Sequence, residues 1–338
     1  MIPKPGRPRL ALACEQRWAA ITIALDMTGP FERKEAVVIV NPAAYNAAKR
    51  KALSAADGWL REHGWKAEWA ETSGAGDATA TAAKAAERRV PIVFVCGGDG
   101  TLNETVNGLA WSETAVSVIP SGTVNLWARE AGLLKKPSEA VRLAVDGVRR
   151  RVDLGLAGSR YFLSMAGFGI DAAVAHRVSH GVKGRVGAAA YALSAANQAM
   201  IYRGSRVMIS LDDEERSAWA LMIVAGNTRK YAGLTQVTPD AIVDDGLLDV
   251  CVYEGRGRWD IVRLAALTLL RRHHGSKGVH YKRVRRLKIA SEKPMPVQLD
   301  GEALADSPAE VSVAAGALWV MTPSGLKSPL FSLPPEPA

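Results

Sequence analysis

Cys96–Glu104 reads CGGDGTLNE, and this stretch decides the fold of the first half of the chain. It follows Pro91–Cys96, an apolar run that is typical of a strand buried on both faces. A helix is predicted over Thr101–Leu109. Glycines let the main chain turn sharply and approach a ligand, and the first turn of a helix offers unpaired N–H groups. The stretch therefore predicts a phosphate-binding loop at the end of a parallel strand.

Asp99 stands among these glycines, where a bare carboxylate would repel a phosphate group. A divalent cation that bridges the two would remove this repulsion. The alternative is structural, with Asp99 or Thr101 capping the helix that follows. The sequence contains no GxxxxGK[ST] motif, which excludes an ordinary P-loop NTPase.

A second loop repeats the same order of features. Pro120–Arg129 reads PSGTVNLWAR, so that an apolar strand is again followed by a glycine turn, a hydroxyl side chain and a predicted helix. Two such loops at neighbouring strand ends would line one crevice, which is where open α/β sheets bind their ligands. The two loops together predict a single ligand-binding crevice.

The rest of the first half alternates strands with helices. Strands are predicted over 36–40 and 65–69, and helices over 45–63 and 77–89. Such alternation predicts a doubly wound α/β domain with a parallel sheet, which we place at residues 35–150. Residues 1–34 are predicted to form an N-terminal extension outside this domain.

The pattern changes after residue 150, where short segments rich in β-branched and aromatic residues prevail. Residues 151–325 are therefore predicted to form a mainly antiparallel, β-sandwich-like domain, and a return of the last strand to the first domain stays open. Residues 326–338 are rich in proline and serine and are predicted to be a disordered tail. The predicted strands are Tyr161–Met165, Arg206–Leu211, Ala218–Ala225, Leu247–Tyr253, Leu287–Ala290, Pro296–Leu299 and Glu310–Val313.

Composition narrows the class of protein. The 338 residues carry a formal net charge of +9, which favours an anionic partner such as nucleic acid, acidic lipid or a phosphorylated substrate. The three cysteines lie far apart without a CxxC pair, which argues against a disulfide framework or a zinc site and favours the cytosol. No uninterrupted apolar run is long enough to span a membrane.

The two loops and the blocks that follow them resemble the diacylglycerol kinase catalytic family, which includes bacterial lipid kinases and sphingosine and ceramide kinases. GGDGT also occurs in NAD kinases, but the later blocks favour lipid kinases. The resemblance covers about residues 36–322. The later blocks are Arg151–Gly155, Tyr161–Ala172, Ala225–Asn227, Thr238–Ala241, Asp244–Val250 and Val297–Glu302.

The resemblance implies a set of site residues. Nucleotide contacts are expected from Asn41, Thr72, Gly97, Gly98, Asp99, Gly100, Thr101, Leu102, Asn103, Gly122 and Thr123. A structural Mg²⁺ is expected at Asp245, together with main-chain oxygens at Ile242 and Leu247. Catalytic roles are expected for Asp99, Asp300 and Glu302. For Asp300-Gly301 and Asp245-Gly246 the alternative is a simple hairpin turn.

Asp300 and Glu302 are the candidate bases, because two carboxylates around one glycine could face the cleft and take the proton of a lipid hydroxyl. Which of the two is the base stays open. The implied activity is ATP- and Mg²⁺-dependent phosphorylation of a lipid hydroxyl, with diacylglycerol as the default acceptor and phosphatidic acid as the product. The alternatives are a kinase of a soluble acceptor, such as NAD or a sugar, and a non-catalytic lipid- or nucleotide-binding module.

The implied location is the cytoplasm, peripherally at the inner membrane face. Arg271–Lys288 holds eight basic residues and no acid, which fits an anionic lipid surface; an ordinary solvated face is the alternative. The apolar segment Trp259–Leu269 ahead of it is predicted either to line an acyl-chain groove or to belong to the core. Nucleic acid is not expected as a partner, since no array of aromatic residues accompanies the charges. A homodimer stays open.

Overall fold

A computed structural model describes residues 31–44, 47–122, 124–133, 136–181, 197, 200–231, 235–304 and 310–336. Nearly all of the predicted N-terminal extension, residues 1–34, lies outside these ranges. Thr123, one of the expected nucleotide contacts, also lies outside the described residues.

The first half is built around four parallel strands in the order β2-β1-β3-β4. Alanine-rich and apolar faces of α2 and α3 pack on one side of this sheet, and α1 and α5 pack on the other. This arrangement confirms the predicted doubly wound α/β architecture. The strands are β1 Glu35–Val40, β2 Lys66–Glu71, β3 Ile92–Gly97 and β4 Ala115–Pro120; the helices are α1 Ala47–Glu62, α2 Asp77–Glu87, α3 Asp99–Leu109, α4 Leu126–Glu130 and α5 Pro137–Val145.

The second half is mainly antiparallel, as predicted. Its central strands follow the order β16-β15-β7-β9-β8-β14-β17, and β12 pairs with β9 and β13. Buried aliphatic residues fill both faces of this sheet. The elements are β5 Val148–Ala157, β6 Arg160–Phe162, β7 Met165–Gly169, α6 Ile170–Gly181, β8 Ser205–Leu211, β9 Glu214–Gly226, β10 Lys230–Tyr231, β11 Thr235–Gln236, β12 Leu248–Glu254, α7 Arg258–Leu269, β13 Val279–Val284, β14 Arg286–Ser291, β15 Val297–Leu299, β16 Glu302–Leu304 and β17 Glu310–Thr322.

The last strand, β17, joins the two halves. It pairs antiparallel with β5 and then parallel with β4, where Trp319 lies opposite Ala115. The predicted strand ended at Val313, nine residues too early, because the small residues 314–317 carry little β-propensity. The predicted boundary at residue 150 falls inside β5, so the connection between the halves is a continuous strand rather than a linker.

The predicted strand Tyr161–Met165 is wrong in one respect that matters for the site. It is two strands, β6 and β7, separated by a turn at Leu163 and Ser164. Apolar content alone cannot show this break, because Leu163 is as buried as its neighbours in the strands. The turn frees a run of N–H groups from the sheet ladder.

The predicted disordered tail, residues 326–338, is also wrong for the part that the structure describes. Leu330 is buried in the core of the first half. The Asp244 carboxylate accepts hydrogen bonds from the amides of Ser332 and Leu333, at 2.7 and 2.9 Å. Glu336 forms a main-chain bridge with Arg149. These contacts hold a proline-rich segment in place without regular secondary structure.

The longest helix among the described residues is α1, with 16 residues. In those parts of the chain, no helix combines the length and the apolar character needed to cross a membrane.

Candidate active site

The glycine loop leaves β3 at Gly97 and enters α3 at Asp99, with Gly98 in an extended conformation between them. A Cβ atom on Gly97 would lie 2.6 Å from the Cβ of Thr101, so no larger residue fits there. The first N–H groups of α3 have no partner within the helix and point out of its N-terminus. The loop therefore has the form expected of an anion site.

The second loop lies directly against the first. The Gly122 amide donates to the carbonyl of Gly97 at 3.1 Å, and the Asn125 side chain donates to the carbonyl of Gly122 at 3.0 Å. A Cβ atom on Gly122 would lie only 2.6 Å from the Cα of Gly98. The two loops thus meet backbone to backbone at the carboxyl ends of the neighbouring strands β3 and β4.

Gly122→Ala is expected to push the two loops apart, because backbone atoms of Gly98 cannot move as a side chain can. We expect kcat/KM for the nucleotide to fall roughly tenfold to a hundredfold, with about 1–3 kcal/mol lost from the free energy of unfolding. Steady-state kinetics and chemical denaturation measure both. Gly74→Ala is the matched control, since a Cβ there meets nothing within 4 Å. Equal effects of the two substitutions would contradict this account of the crevice.

Asp99 faces the start of α4 rather than open solvent. Its Oδ1 accepts a hydrogen bond from the Leu126 amide at 2.6 Å. Burial raises the pKa of Asp99, and hydrogen bonds from main-chain amides, that of Leu126 first, oppose the rise. The carboxylate thus caps a helix, but it is the helix of the neighbouring loop and not its own.

Asn41 ties the end of β1 to the glycine loop. Its side-chain Nδ2 donates to Thr101 Oγ1 at 3.1 Å, while its Oδ1 accepts from the Ala43 amide at 3.0 Å. Close by, a cavity of about 280 Å³ opens beside the carboxyl ends of β1 and β2. Its lining residues are Val40, Arg50, Leu53, Ser54, Asp57, Trp69 and Glu71.

The loop after β2 differs from the other two, because carboxylates already occupy its amides. Asp77 Oδ2 accepts from the amides of Ser73 and Gly74. Glu104 Oε2 accepts from the amides of Gly76 and Ala78. The loop is therefore closed as a phosphate cradle, and the Thr72 hydroxyl is the group that it could still offer to a nucleotide.

Asp300 occupies the tight turn between β15 and β16, and both Asp300 and Gly301 have positive φ angles, 49° and 88°. The hairpin-turn alternative is thus correct as to backbone. The turn also reaches the cleft, where the Asp300 carboxylate accepts hydrogen bonds of 2.8–2.9 Å from three successive amides, those of Leu163, Ser164 and Met165. These are the N–H groups freed by the turn between β6 and β7.

Asn103 supplies a fourth hydrogen bond. In the orientation that satisfies its neighbours, its amide nitrogen donates to Asp300 Oδ2 at 3.3 Å and to the carbonyl of Tyr161 at 3.2 Å. Asn103 is one of the expected nucleotide contacts, and its side chain faces Asp300. The side chain of Leu102, another expected contact, packs into the core of the first half.

The pKa of Asp300 is raised to about 6, chiefly by burial and further by the negative charge of Asp99. The three amide hydrogen bonds oppose the rise. Asp99 and Asp300 therefore interact electrostatically across the junction of the two halves. A cation between the halves would relieve this repulsion.

Glu302 lies one residue beyond the turn and points at the glycine loop. Its Oε1 lies 3.2 Å from the position that a Cβ on Gly100 would take. Its Oε2 accepts a hydrogen bond from Arg160 at 2.7 Å, and the side chain is half-exposed. The structure thus brings Asp300 and Glu302 to the Gly97–Thr101 loop.

Three residues that support the 300–302 turn and Glu302 were not predicted from the sequence: Arg160, Gln298 and Asp171. Gln298 Oε1 accepts from the Gly301 amide at 2.6 Å, and its Nε2 donates to Asp171 Oδ2 at 2.8 Å. Burial raises the pKa of Asp171 to about 6. The sequence does contain a signal for two of them. Gln298 is a polar residue in the apolar strand before Asp300, and Asp171 is an acid shortly after Gly169. Buried polar side chains need hydrogen-bond partners, so each of these residues predicts one.

Asp153 and Asn227 hold the 163–165 turn in position. Asp153 accepts from the amides of Gly246 and Gly316, each at 2.6 Å. Asn227 Nδ2 donates to the carbonyls of Asp153 and Leu163, at 2.8 and 2.9 Å. These residues belong to blocks that the sequence analysis matched to the family, and here their part is to hold the junction together.

The described side chains do not fit the expected structural Mg²⁺ at Ile242, Asp245 and Leu247. Asp245 Oδ1 accepts from the Leu247 amide at 3.0 Å, and Oδ2 forms an ion pair with Arg283. Both carboxylate oxygens are engaged, one of them by a cation. Among the described residues, no three histidine, cysteine or acidic side chains stand close enough to form a metal cage.

Two family models match the chain in sequence. The diacylglycerol kinase catalytic domain matches residues 35–157, and the YegS C-terminal NAD kinase beta sandwich-like domain matches residues 164–322. A diacylglycerol kinase of Staphylococcus epidermidis is 30% identical over 272 residues, which cover 80% of this chain and 86% of that protein. A "Probable lipid kinase YegS-like" of Chromohalobacter salexigens is 31% identical over 272 residues, covering 79% and 88%.

The fold is also that of a solved structure, described as a diacylglycerol kinase from Bacillus anthracis str. Sterne. The two superimpose with a TM-score of 0.69 at 22% identity, over 88% of this chain and 100% of that one. At this identity the likeness speaks for the fold alone.

Proposed function

Because the chain belongs to the diacylglycerol kinase catalytic family and is a lipid kinase-like enzyme with ATP as its expected phosphate donor, we propose that it phosphorylates the hydroxyl of diacylglycerol to form phosphatidic acid. The observation that carries this proposal is the meeting of Glu302 with the glycine loop, where Glu302 Oε1 lies 3.2 Å from the Cβ position of Gly100. A carboxylate from one half thus faces an anion site on the other, which is the arrangement that phosphoryl transfer to an alcohol needs.

The nucleotide's phosphates are proposed to bind on the surface that the two contacting glycine loops form together, against the N-terminus of α3. The 280 Å³ cavity is lined by Val40 and Glu71, the residues before Asn41 and Thr72, so it is the proposed place for the nucleobase of ATP. Asp99 would hold an Mg²⁺ that arrives with ATP, together with phosphate oxygens and water, because Mg²⁺ in such sites needs only one or two carboxylates. When bound, the ion would offset phosphate charge. The repulsion between Asp99 and Asp300 supports a cation there.

Hydrogen bonding separates the roles of the two candidate bases. Asp300 accepts four hydrogen bonds, from Asn103 and the three amides of the 163–165 turn, so its lone pairs are already used. Glu302 keeps Oε1 towards the loop while Arg160 holds Oε2. We therefore assign Glu302 as the general base and Asp300 as the residue that positions the 300–302 turn.

Glu302 takes the proton of the lipid hydroxyl, the hydroxyl oxygen forms a bond to the γ-phosphorus of ATP, and the bond to the β-phosphate oxygen breaks to release ADP. Arg160, beside Glu302, adds a positive charge near the transferred group. The product would enter phospholipid biosynthesis, and the enzyme is proposed to act in the cytoplasm, peripherally at the inner membrane face.

The proposal is tested by transfer of labelled phosphate from ATP with Mg²⁺ to diacylglycerol, sphingosine, ceramide, NAD and a sugar, the lipids presented in vesicles. Labelled phosphatidic acid is the expected product. Label that appears only on NAD or the sugar would overturn the lipid acceptor, and transfer to no acceptor would favour a non-catalytic module.

The pKa of Asp300 predicts an acid limb in the activity. Below about pH 6 the protonated carboxyl cannot accept all of its hydrogen bonds, so kcat/KM should fall as pH drops through about 6 and level off above it. The native pKa lies above the unfolded value, so protonation of this group favours the native state, and the loss of activity should not be a loss of fold. Rates and melting temperatures between pH 5 and 8, roughly spanning this window, check both.

Asp171 has a similarly raised pKa, so it needs a control of its own. Asp171→Asn keeps an oxygen that can accept from Gln298 and removes the titrating group. The acid limb should persist in this variant. If the acid limb disappears in this variant, the group whose titration causes it is Asp171 and not Asp300.

A further inference from the structure

Helix α7 is apolar on both sides, and only one side is covered. Ile261 and Leu264 pack against the sheet with Leu221 and Tyr253. The opposite side exposes large apolar residues: Trp259 is 75% exposed, Val262 55%, Leu269 69% and Leu270 66%. The prediction that Trp259–Leu269 belongs to the core is thus correct only for the side of α7 that packs against the sheet. A helix that is apolar all round is normally buried, so the outer face calls for a partner.

The uncovered face continues onto its neighbours. The Gly204 amide donates to the carbonyl of Arg256 at 3.2 Å, so the segment that follows the exposed Met200 and Ile201 meets the residues just before α7. The guanidinium of Arg256 stacks over Trp219 at 4.7 Å, and Trp219 is itself 40% exposed. We call the exposed residues Trp219, Trp259, Val262, Leu269 and Leu270 the α7 face.

The charge around the α7 face is strongly positive. Residues 255–278 hold six basic side chains against a single acid, Asp260, whose Oδ2 accepts from the Arg256 amide at 2.9 Å. The six are Arg256, Arg258, Arg263, Arg271, Arg272 and Lys277.

The cations farther along, on β13 and β14, are largely neutralised. Lys282 pairs with Glu214, Arg283 with Asp245, and Lys288 with Glu310. The basic stretch Arg271–Lys288 was expected to meet lipid as a whole. Four cations of its β13–β14 part are paired, whereas the described residues give Arg271 and Arg272, at the end of α7, no ion pair.

We propose that the α7 face docks on an anionic phospholipid surface, with Trp259, Leu269 and Leu270 entering the headgroup boundary and Arg271 and Arg272 contacting lipid phosphates. Tryptophan and leucine on one face with arginines at the rim are the composition of interfacial helices. Each basic residue near such a surface contributes on the order of 1 kcal/mol, equivalent to about fivefold in binding.

The place of α7 in the fold suits a lipid acceptor, and the inference rests on the proposed function in this respect. Thr235 Oγ1 donates to the carbonyl of Thr268 in α7 at 3.0 Å. Thr235 belongs to β11, which pairs with β10, and the Lys230 amide in β10 donates to Glu130 of α4 at 3.0 Å. The paired strands β10 and β11 thus contact both α7, on its inner side, and α4, the helix that follows the second glycine loop.

The test is flotation of the full chain with vesicles of phosphatidylcholine, alone or mixed with phosphatidylglycerol. Wild type should bind the mixed vesicles, and more weakly so at high salt. The double variant Trp259→Ser/Leu269→Gln should bind at least about tenfold less, since two exposed apolar side chains no longer enter the lipid. Arg271→Gln/Arg272→Gln should lose roughly 25-fold on mixed vesicles and nothing on phosphatidylcholine. Leu333→Gln, at a 54% exposed leucine elsewhere, should bind as wild type does.

Activity separates failure of this inference from failure of the proposed function. With a short-chain diacylglycerol dissolved as monomers, the α7 variants should keep wild-type rates, and with vesicle-borne diacylglycerol they should lose rate in step with binding. Wild type that binds vesicles but phosphorylates neither lipid would overturn the function and leave the docking face standing. Unchanged flotation of the α7 variants would overturn docking. If the wild type is a dimer and these variants become monomers with unchanged flotation, the α7 face is a dimer interface and docking is overturned as well.

Discussion

Glu302→Gln is expected to lower kcat for phosphate transfer on the order of 10²–10⁴-fold, the range lost with a general base. Glutamine keeps the shape of the side chain and an oxygen that can accept from Arg160, but it cannot take a proton. The KM for ATP should change little, because the proposed role of Glu302 is towards the acceptor hydroxyl and not towards the nucleotide. The Glu302 side chain is half-exposed, so the free energy of unfolding should shift by less than about 1 kcal/mol.

Arg160→Gln serves as the matched comparison, since it removes the ion pair and leaves the base. Its effect on kcat should be clearly smaller than that of Glu302→Gln. If Glu302→Gln kept a near wild-type kcat while Arg160→Gln lost it, the carboxylate would be no more than a support for Arg160, and the assignment of the base would be wrong.

Asp99→Asn is expected to lower kcat/KM for ATP by about 10³-fold, because an Mg²⁺ ligand contributes several kcal/mol of charge stabilisation to the transferred group. Asparagine still offers an oxygen to the Leu126 amide, so the cap on α4 should survive. The variant should also need more Mg²⁺ for half-maximal rate. Since the charge of Asp99 raises the pKa of Asp300, the acid limb of the activity should move to lower pH.

Asp99→Ala, compared with Asp99→Asn, distinguishes an Mg²⁺ ligand from a helix cap. It removes both the charge and the cap, so it should lose activity as Asp99→Asn does and in addition about 1 kcal/mol of stability. Wild-type activity and Mg²⁺ dependence in Asp99→Asn, with a stability loss in Asp99→Ala alone, would show that Asp99 is merely a helix cap.

The parts of the site that sequence predicted are those made of local backbone. CGGDGTLNE places a glycine turn between a buried strand and a helix, and the structure has it there. The Asp300-Gly301 turn was equally visible, since positive φ angles at both residues favour Asp-Gly. The parallel sheet followed from apolar strands alternating with helices, because each such strand needs cover on both faces.

What sequence could not show depends on contacts between distant segments. Nothing local to Leu163 and Ser164 reveals a turn that binds a carboxylate from residue 300. The basic run Arg271–Lys288 has no acid within it, yet Glu214 and Glu310 arrive from other strands to pair with it. Likewise the tail carries no apolar periodicity, and it is held by Asp244, some ninety residues away.

The decisive measurement is a crystal structure with Mg²⁺ and a non-hydrolysable ATP analogue. We expect the triphosphate on the surface that the loops at Gly98 and Gly122 form together, with the γ-phosphate facing Glu302 and the metal at Asp99. A triphosphate bound away from both glycine loops, or one with Glu302 turned from it and no metal at Asp99, would contradict the account.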